Sequence, residues 1–383
     1  MSKMLKTKME PNDIIKRSKN DYNWKVIVEL GAGGFGTVNK VVQVNDQGIL
    51  LNNKEYAMKT ELKAIHKQAS RLKIERNVMA CFPKFDPQFR EHFPELIDLG
   101  QTVNTKWIVM TLVGPSLEKL KKNHGGFSKS TALQCGLQTL KAIHDFHEIG
   151  FLHRDIKPGN YCVGADGKAD IVFLIDFGLA RKYRIKNGGI RPPRQKTKMV
   201  GTPRYCPRAS HRQEELARKD DYESWLFLMF ELFDSERGVP WKGKPKDVSY
   251  EMKIRVFEDP KWIPSVSMIP ESFMVMAEYL NGLEYLSSVE FGMFRETITD
   301  FARTLRLTLK EPLDWLASED TKTLDTTTTT SKNISVDDNK SICSDGTADE
   351  SSMEKSRNAR SRGSRAKKPT TKPGMSVLTN EAR

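Results

Sequence analysis

From residue 22 to 44, apolar β-branched and aromatic side chains alternate with polar ones around a cluster of glycines, and the two-residue period resumes at 55–59 after a turn-like stretch at 45–53. Residues 107–112 make another such run. Together these segments predict a twisted antiparallel sheet. Between 64 and 80 the period lengthens, with Ile65, Leu72, Val78 and Met79 at helical spacing among charges, so one helix is expected to pack on that sheet. Past Pro115 helical spacing takes over, at 131–147, 221–233, 271–285 and 294–307, around short strands near Tyr161 and Phe173. The pattern predicts an α+β chain of two lobes, a small antiparallel sheet carrying one main helix and a larger, mostly helical part.

After Leu316 the periodicity stops. A Thr/Ser/Asp stretch, TLDTTTTTSKNISVDDNKS, gives way to the basic run SRNARSRGSRAKKPTTKP, compositions that bury too little surface to offset chain entropy and are read as disordered. The expected organisation is a polar extension at 1–20, the first lobe at 21–111, the second at 112–316 and the tail at 317–383. The longest apolar run, 225–233, is broken by Glu231 and falls far short of the roughly 20 residues a membrane-spanning helix needs. The start, MSKMLKTKMEPND, has no apolar core of a secretory signal. Five scattered cysteines without CxxC spacing argue against a zinc site or a disulfide framework, so a reducing compartment, cytoplasmic or nuclear, is expected. A formal charge of +13 favours acidic partners without choosing among them.

Chemistry enters with Gly31-Ala-Gly33-Gly-Phe-Gly36-Thr-Val38, a G-x-G-x-x-G-x-V pattern whose glycines let backbone amides approach phosphate oxygens. The following TVNKVVQV continues as a β-branched strand rather than opening a helix, which favours a hairpin lid over a dinucleotide fold. Lys59 sits on the next strand, where its ammonium can reach phosphates. Glu75, mid-helix, is the carboxylate chosen to hold it, in preference to Glu61 at the strand end. His153-Arg154-Asp155-Ile156-Lys157-Pro158-Gly159-Asn160 matches a catalytic loop at both ends and in spacing. In it Asp155 would orient the substrate hydroxyl, Lys157 would neutralise the transferring phosphoryl, Asn160 would bind magnesium, and His153 is read as structural. Asp176-Phe177-Gly178 follows the strand-like 171–175 and places a second metal-binding carboxylate.

From about residue 22 to 316 the chain resembles the casein kinase I group of protein kinases, in particular its tau-tubulin kinase-like branch. The marks are LVGPSL, HRDIKPGN, LIDFGLARKY, GTPRY and RKDDYES, with CPRASH where most protein kinases carry A-P-E. The resemblance implies a bilobal protein kinase fold, serine/threonine specificity, and ATP with Mg2+ as cofactors. It places Met110 as gatekeeper, the backbone of Leu112 and Val113 against adenine, Ala57 and Cys162 about the ring, and Leu30 beside the glycines. Asp221 would tie down the catalytic loop, although a helix N-cap remains the alternative. The group's preference for acidic or already phosphorylated protein substrates points to the cations of 191–198, Arg194 first. Those charges could instead be solvated or bind an activation-loop phosphate through Arg154. No residue of the segment demands phosphorylation, so activity without an upstream kinase is expected, as is a monomer.

The tail adds an acid-primed ladder, Asp338, Ser341, Ser344 and Thr347 at three-residue steps, which self-phosphorylation could turn into a brake on the basic groove. Two rival functions remain. A pseudokinase scaffold would have no need of Lys59, Asp155, Asn160 and Asp176 together. A nucleic-acid binder using the basic tail lacks aromatic interleaving and a reading motif.

Overall fold

The computed structural model describes residues 9–17, 21–33, 36–63, 70–185 and 187–317. The tail ladder and the basic run lie outside the described residues. Strands β1 (Ile14–Ile15), β2 (Asn23–Gly33), β3 (Gly36–Val44) and β4 (Leu50–Leu62) come first, then helix α1 (Arg71–Met79) and strands β5 (Leu96–Gln101) and β6 (Thr105–Thr111). They build one antiparallel sheet in the order β1-β2-β3-β4-β6-β5. Trp24, Val26, Val41, Met58 and Val109 bury one face of it completely.

Residues 50–53, expected to be turn, open β4 instead. Val44 pairs with Leu50, so the hairpin closes within 45–49. The Asn45 side chain makes that possible by accepting the amides of Gln47 and Ile49 at 3.0 and 2.9 Å. Leu50 and Leu51 are both exposed, which erases the alternation that would have announced a strand. Helix α1 starts where Ser70 Oγ accepts the Lys73 amide at 3.1 Å. The upstream part of the expected 64–80 helix lies outside the described residues. Ile14 and Ile15, within the stretch read as a polar extension, pair with Lys25 and Trp24, and Ile15 is buried.

A short strand, β7 (Val113–Ser116), leads into the second lobe, with α2 (Leu117–Asn123), α3 (Lys129–Glu148), β8 (Phe151–Leu152), β9 (Tyr161–Gly164), β10 (Val172–Leu174) and β11 (Arg181–Lys182). Helices α4 (Arg208–His211), α5 (Arg218–Phe233), α6 (Lys246–Glu258), α7 (Trp262–Val266), α8 (Met274–Asn281) and α9 (Phe291–Thr304) complete it. Helix α5 runs through the middle of the lobe and is buried on all sides from Asp220 to Phe233, with Asp220, Asp221, Glu223 and Glu231 buried among its apolar residues. It begins at Arg218, three positions before the expected start, because the Asp220 carboxylate accepts the Ala217 amide. Asp221 is thus inside the helix and is not its N-cap. Helix α6 has few buried positions, Ser249, Lys253, Val256 and Phe257, too few to carry a readable period. The expected 271–285 helix ends at Asn281, where Gly282 turns its amide back on Glu278 and Tyr279.

Candidate active site

The strands and turns bring the motif residues to the groove between the lobes. Lys59 on β4 lies 2.7 Å from Glu75 Oε2 of α1 and 2.9 Å from Asp176 Oδ1. Glu61, the carboxylate passed over, accepts the Leu72 amide at 2.9 Å and anchors the start of α1. Burial would strip Lys59 of its proton, but Glu75 and Asp176 more than reverse this and hold it charged well above its ordinary range. Burial likewise works to raise the Asp176 carboxyl, yet the Lys59 charge and the Gly178 amide keep it below the usual carboxylate value.

Asp176 is held in a left-handed conformation, φ 64°. An L-residue rarely stays there unless its surroundings insist. Here the next residue does so: Phe177 is completely buried, stacked on Phe146 at 5.2 Å and edge-on to Phe82 at 5.4 Å. The cluster fixes where the backbone must turn, and the turn aims Asp176 at Lys59.

Loop residues 153–160 supply the opposite wall. Asp155 Oδ2 takes a hydrogen bond from Lys157 Nζ at 2.9 Å and one from Asn160 Nδ2 at 3.2 Å. Asn160 Nδ2 also donates to the Asp155 carbonyl at 2.8 Å, which leaves the Asn160 amide oxygen for a cation. Burial opposes ionisation of Asp155, but Lys157 and Thr202 outweigh it and keep the carboxyl below its ordinary value. His153 is buried, its Nε2 faces the Ile175 carbonyl at 3.1 Å, and burial pushes its imidazole below the ordinary histidine value. Beneath the loop, Asp221 Oδ2 accepts the His153 amide and Oδ1 the Arg154 amide, each at 2.8 Å.

Gly31, Gly33, Gly36, Val38, Lys59, Asn160 and Asp176 line one cavity of about 320 Å³. Gly36 has φ 153°, and a Cβ there would stand 1.8 Å from the Thr60 carbonyl oxygen, so the hairpin can lie this close to β4 only without a side chain. Gly34 and Phe35 lie outside the described residues. Ala57, Met110, Leu112, Val113 and Cys162 flank the β6–β7 connection rather than this cavity. Ala57 pairs with Met110 and both are buried, Val113 pairs with Gly164, and Cys162 pairs with Ser116 on β7. Leu30 stands exposed on β2. Leu112 borders a separate cavity of about 450 Å³ behind the connection, shared with Arg90, Phe93 and Lys168. The donor set in the first cavity, one ammonium with a carboxylate and an amide oxygen, fits a polyphosphate carrying a hard divalent cation.

Three contributors escaped the sequence reading. Thr202 places both its amide and its hydroxyl on Asp155 Oδ1 at 2.8 Å, and accepts from Lys157 at 2.9 Å. It sits in GTPRY, which served only as a family mark. Lys253 is wholly buried under the same segment and donates to the carbonyls of Pro203 and Cys206 at 2.8 and 2.6 Å. With Arg208 on Glu223 at 3.2 Å, it anchors the stretch where A-P-E is missing. Glu215, the third, carries no motif at all. Arg194, the leading candidate for substrate contact, forks onto Glu215 through Nε and Nη2.

Residues 24–314 match the protein kinase domain model. The putative serine/threonine-protein kinase ZK507.3 of Caenorhabditis elegans is 55% identical over 309 residues, 80% of this chain and 77% of that protein. A second from the same organism, ZK507.1, is 57% identical over 276 residues, 72% of this chain and 82% of that one. The serine/threonine-protein kinase spe-6 of the same nematode is 30% identical over 312 residues, 80% and 79% of the two chains.

Proposed function

Because this chain belongs to the protein kinase family, we propose that it is an active serine/threonine protein kinase that moves the γ-phosphate of ATP to protein hydroxyls. One observation carries the reading: Lys59 bridges Glu75 and Asp176 at 2.7 and 2.9 Å, facing an Asp155–Asn160 pair across the same cavity. In this reading Lys59 holds phosphate oxygens, and Asn160 and Asp176 hold the divalent cation that screens them. Asp155 orients the substrate hydroxyl and takes its proton, while Lys157 neutralises charge on the moving phosphoryl. Adenine would rest by Leu30, Ala57, Met110, Leu112, Val113 and Cys162. The intact set, already paired, supports turnover over a scaffold role.

The finer assignment, to the casein kinase I group and its tau-tubulin kinase-like branch, rests on the quoted motifs and on the anchoring of 203–208 without A-P-E. A preference for acidic or already phosphorylated protein sites belongs to the same proposal. Its support is the row of Arg191, Arg194, Lys196 and Lys198, of which Arg194 remains 46% exposed while bound to Glu215. The chain would act as a monomer in the cytoplasm or nucleus. No helix among the described residues is long and apolar enough to cross a membrane.

Transfer of labelled phosphate from ATP to an acidic protein and to a pre-phosphorylated peptide tests the whole reading, with Asp155→Asn as control. Transfer by wild type and background by the variant is the expected result. Equal background from both would return the chain to the scaffold reading.

A further inference from the structure

Glu215 is a carboxylate with a 1% exposed side chain, ion-paired with two guanidinium groups and within electrostatic reach of a third, from three separate stretches of chain. Arg181, on β11 just after Asp176-Phe177-Gly178, places Nε 3.0 Å from Glu215 Oε1. Arg194, farther along the segment, adds its two-pronged contact, with Nη2 3.1 Å from Oε1. Arg154, immediately before Asp155, is half-buried, and Glu215 is the strongest attractive charge acting on it, ahead of Asp221. The same stretch receives the segment a second time: Thr197 Oγ1 donates to the carbonyls of Gln213 and Glu214 at 3.0 and 2.9 Å.

Three cations this close repel one another unless an anion sits among them. Many protein kinases acquire that anion by phosphorylation, which orders the activation segment through new arginine contacts. We infer that Glu215 is a permanent internal substitute for an activation-segment phosphate, drawing Arg154, Arg181 and Arg194 together so that the segment is ordered without modification. This rests on the kinase reading above and deepens it. Glu215 does not line the cavity of Lys59, Asn160 and Asp176, so it is a positioning residue acting through Arg154. That arginine carries the restraint to its neighbour: its backbone, at φ 70°, is bonded to Asp221, and its Nε donates to the Leu179 carbonyl at 2.7 Å.

The experiment uses the full chain, stripped by phosphatase and shown phosphate-free by mass spectrometry, with initial rates measured before autophosphorylation accumulates. Wild type should keep its full kcat. Glu215→Ala and Glu215→Gln should lose roughly tenfold or more in kcat, with the KM for ATP changed less than about twofold. Sulfate should restore part of the Glu215→Ala rate by filling the emptied site, whereas chloride at equal ionic strength should not, and Arg181→Ala/Arg194→Ala in the same background should abolish the recovery. Should Glu215→Ala melt before assay, Glu215→Gln, of the same size, carries the kcat comparison. A Glu215→Gln enzyme as fast as wild type overturns the inference, as does a loss of rate that sulfate never recovers, which would make Glu215 merely structural. Wild type active before phosphatase but silent after it overturns the inference alone. Silence in both states overturns the kinase reading beneath it.

Discussion

Asp221 Oδ1 accepts the backbone amide of Arg154 at 2.8 Å, joining residues 67 positions apart in sequence. Its other oxygen takes the His153 amide and faces His147 Nε2, also at 2.8 Å. Arg154 is left-handed, a conformation that costs about 1–3 kcal/mol for a residue with a Cβ and persists only when overdetermined. The helix carboxylate supplies that overdetermination and so sets where Asp155 points.

Replacing Asp221 by alanine should therefore damage activity and stability together. Two buried amides would lose their acceptor, at a cost of about 2–5 kcal/mol. Thermal melting should show a drop of several degrees, and kcat should fall by about a hundredfold. A variant that melted like wild type would mean the loop is held by other contacts.

Lys59→Met should abolish phosphate transfer and also destabilise the fold, because Glu75, 2% exposed, would be left as an uncompensated buried charge costing about 3–5 kcal/mol. The double variant Lys59→Met/Glu75→Leu should regain much of that stability while staying inactive. Urea unfolding of the four proteins in the cycle gives the coupling directly. Additive losses would show that the pair is not coupled.

His211 and Asp220 should tilt stability in opposite directions with pH. Burial holds the His211 imidazole down to about 4, so between roughly 4 and 6.5 the unfolded chain binds the extra proton and this group's contribution falls as pH falls. Burial pushes the Asp220 carboxyl up to about 7, so over roughly pH 4 to 7 the folded chain binds the extra proton and the contribution falls as pH rises. Relative to wild type, His211→Asn should gain stability on acidification from pH 7 to 5, and Asp220→Asn should lose it. In melting curves across that range, a reversed difference from wild type would show a wrong sign, and equal slopes would show that the group is not shifted on folding.

Gly36→Ala and Gly33→Ala separate packing from ligand contact. At Gly36 the new Cβ meets the Thr60 carbonyl, so both the hairpin and ATP binding should suffer. At Gly33 nothing among the described residues lies within 4 Å, so melting should be unchanged and any effect confined to the KM for ATP. Differential scanning calorimetry with and without nucleotide distinguishes the two.

The residues that sequence reveals best here are those whose neighbours in sequence are also neighbours in chemistry. Asp155, Lys157 and Asn160 lie within one loop, and Asp176 ends a strand, so spacing alone exposes them. Lys59 and Glu75 needed only the inference that one faces the other across a strand–helix unit. Glu215 offers no such clue, since its partners lie at 154, 181 and 194 and its own surroundings, EEL, look like solvated surface. Lys253 is hidden for a related reason. On a helix with few buried positions, a fully buried lysine is indistinguishable from an exposed one until the carbonyls it satisfies come from another segment. The opening of β4 escaped because its first leucines face solvent on the outside of the hairpin.

The short strand at Ile14–Ile15 is reinforced by Arg17, whose guanidinium meets Asp98 at 2.7 Å and lies over the Trp107 ring at 5.1 Å. Asp98 also accepts the indole N–H of the fully buried Trp24 at 2.7 Å. A recombinant chain begun at Asp21 would keep the Trp24–Asp98 bond but lose β1 and Arg17 at once: it would bare the hydrogen-bonding edge of β2 and strip Asp98 of its cation. Such a truncation would invite edge-to-edge self-association, so the cut that sequence composition recommends would give an aggregating protein.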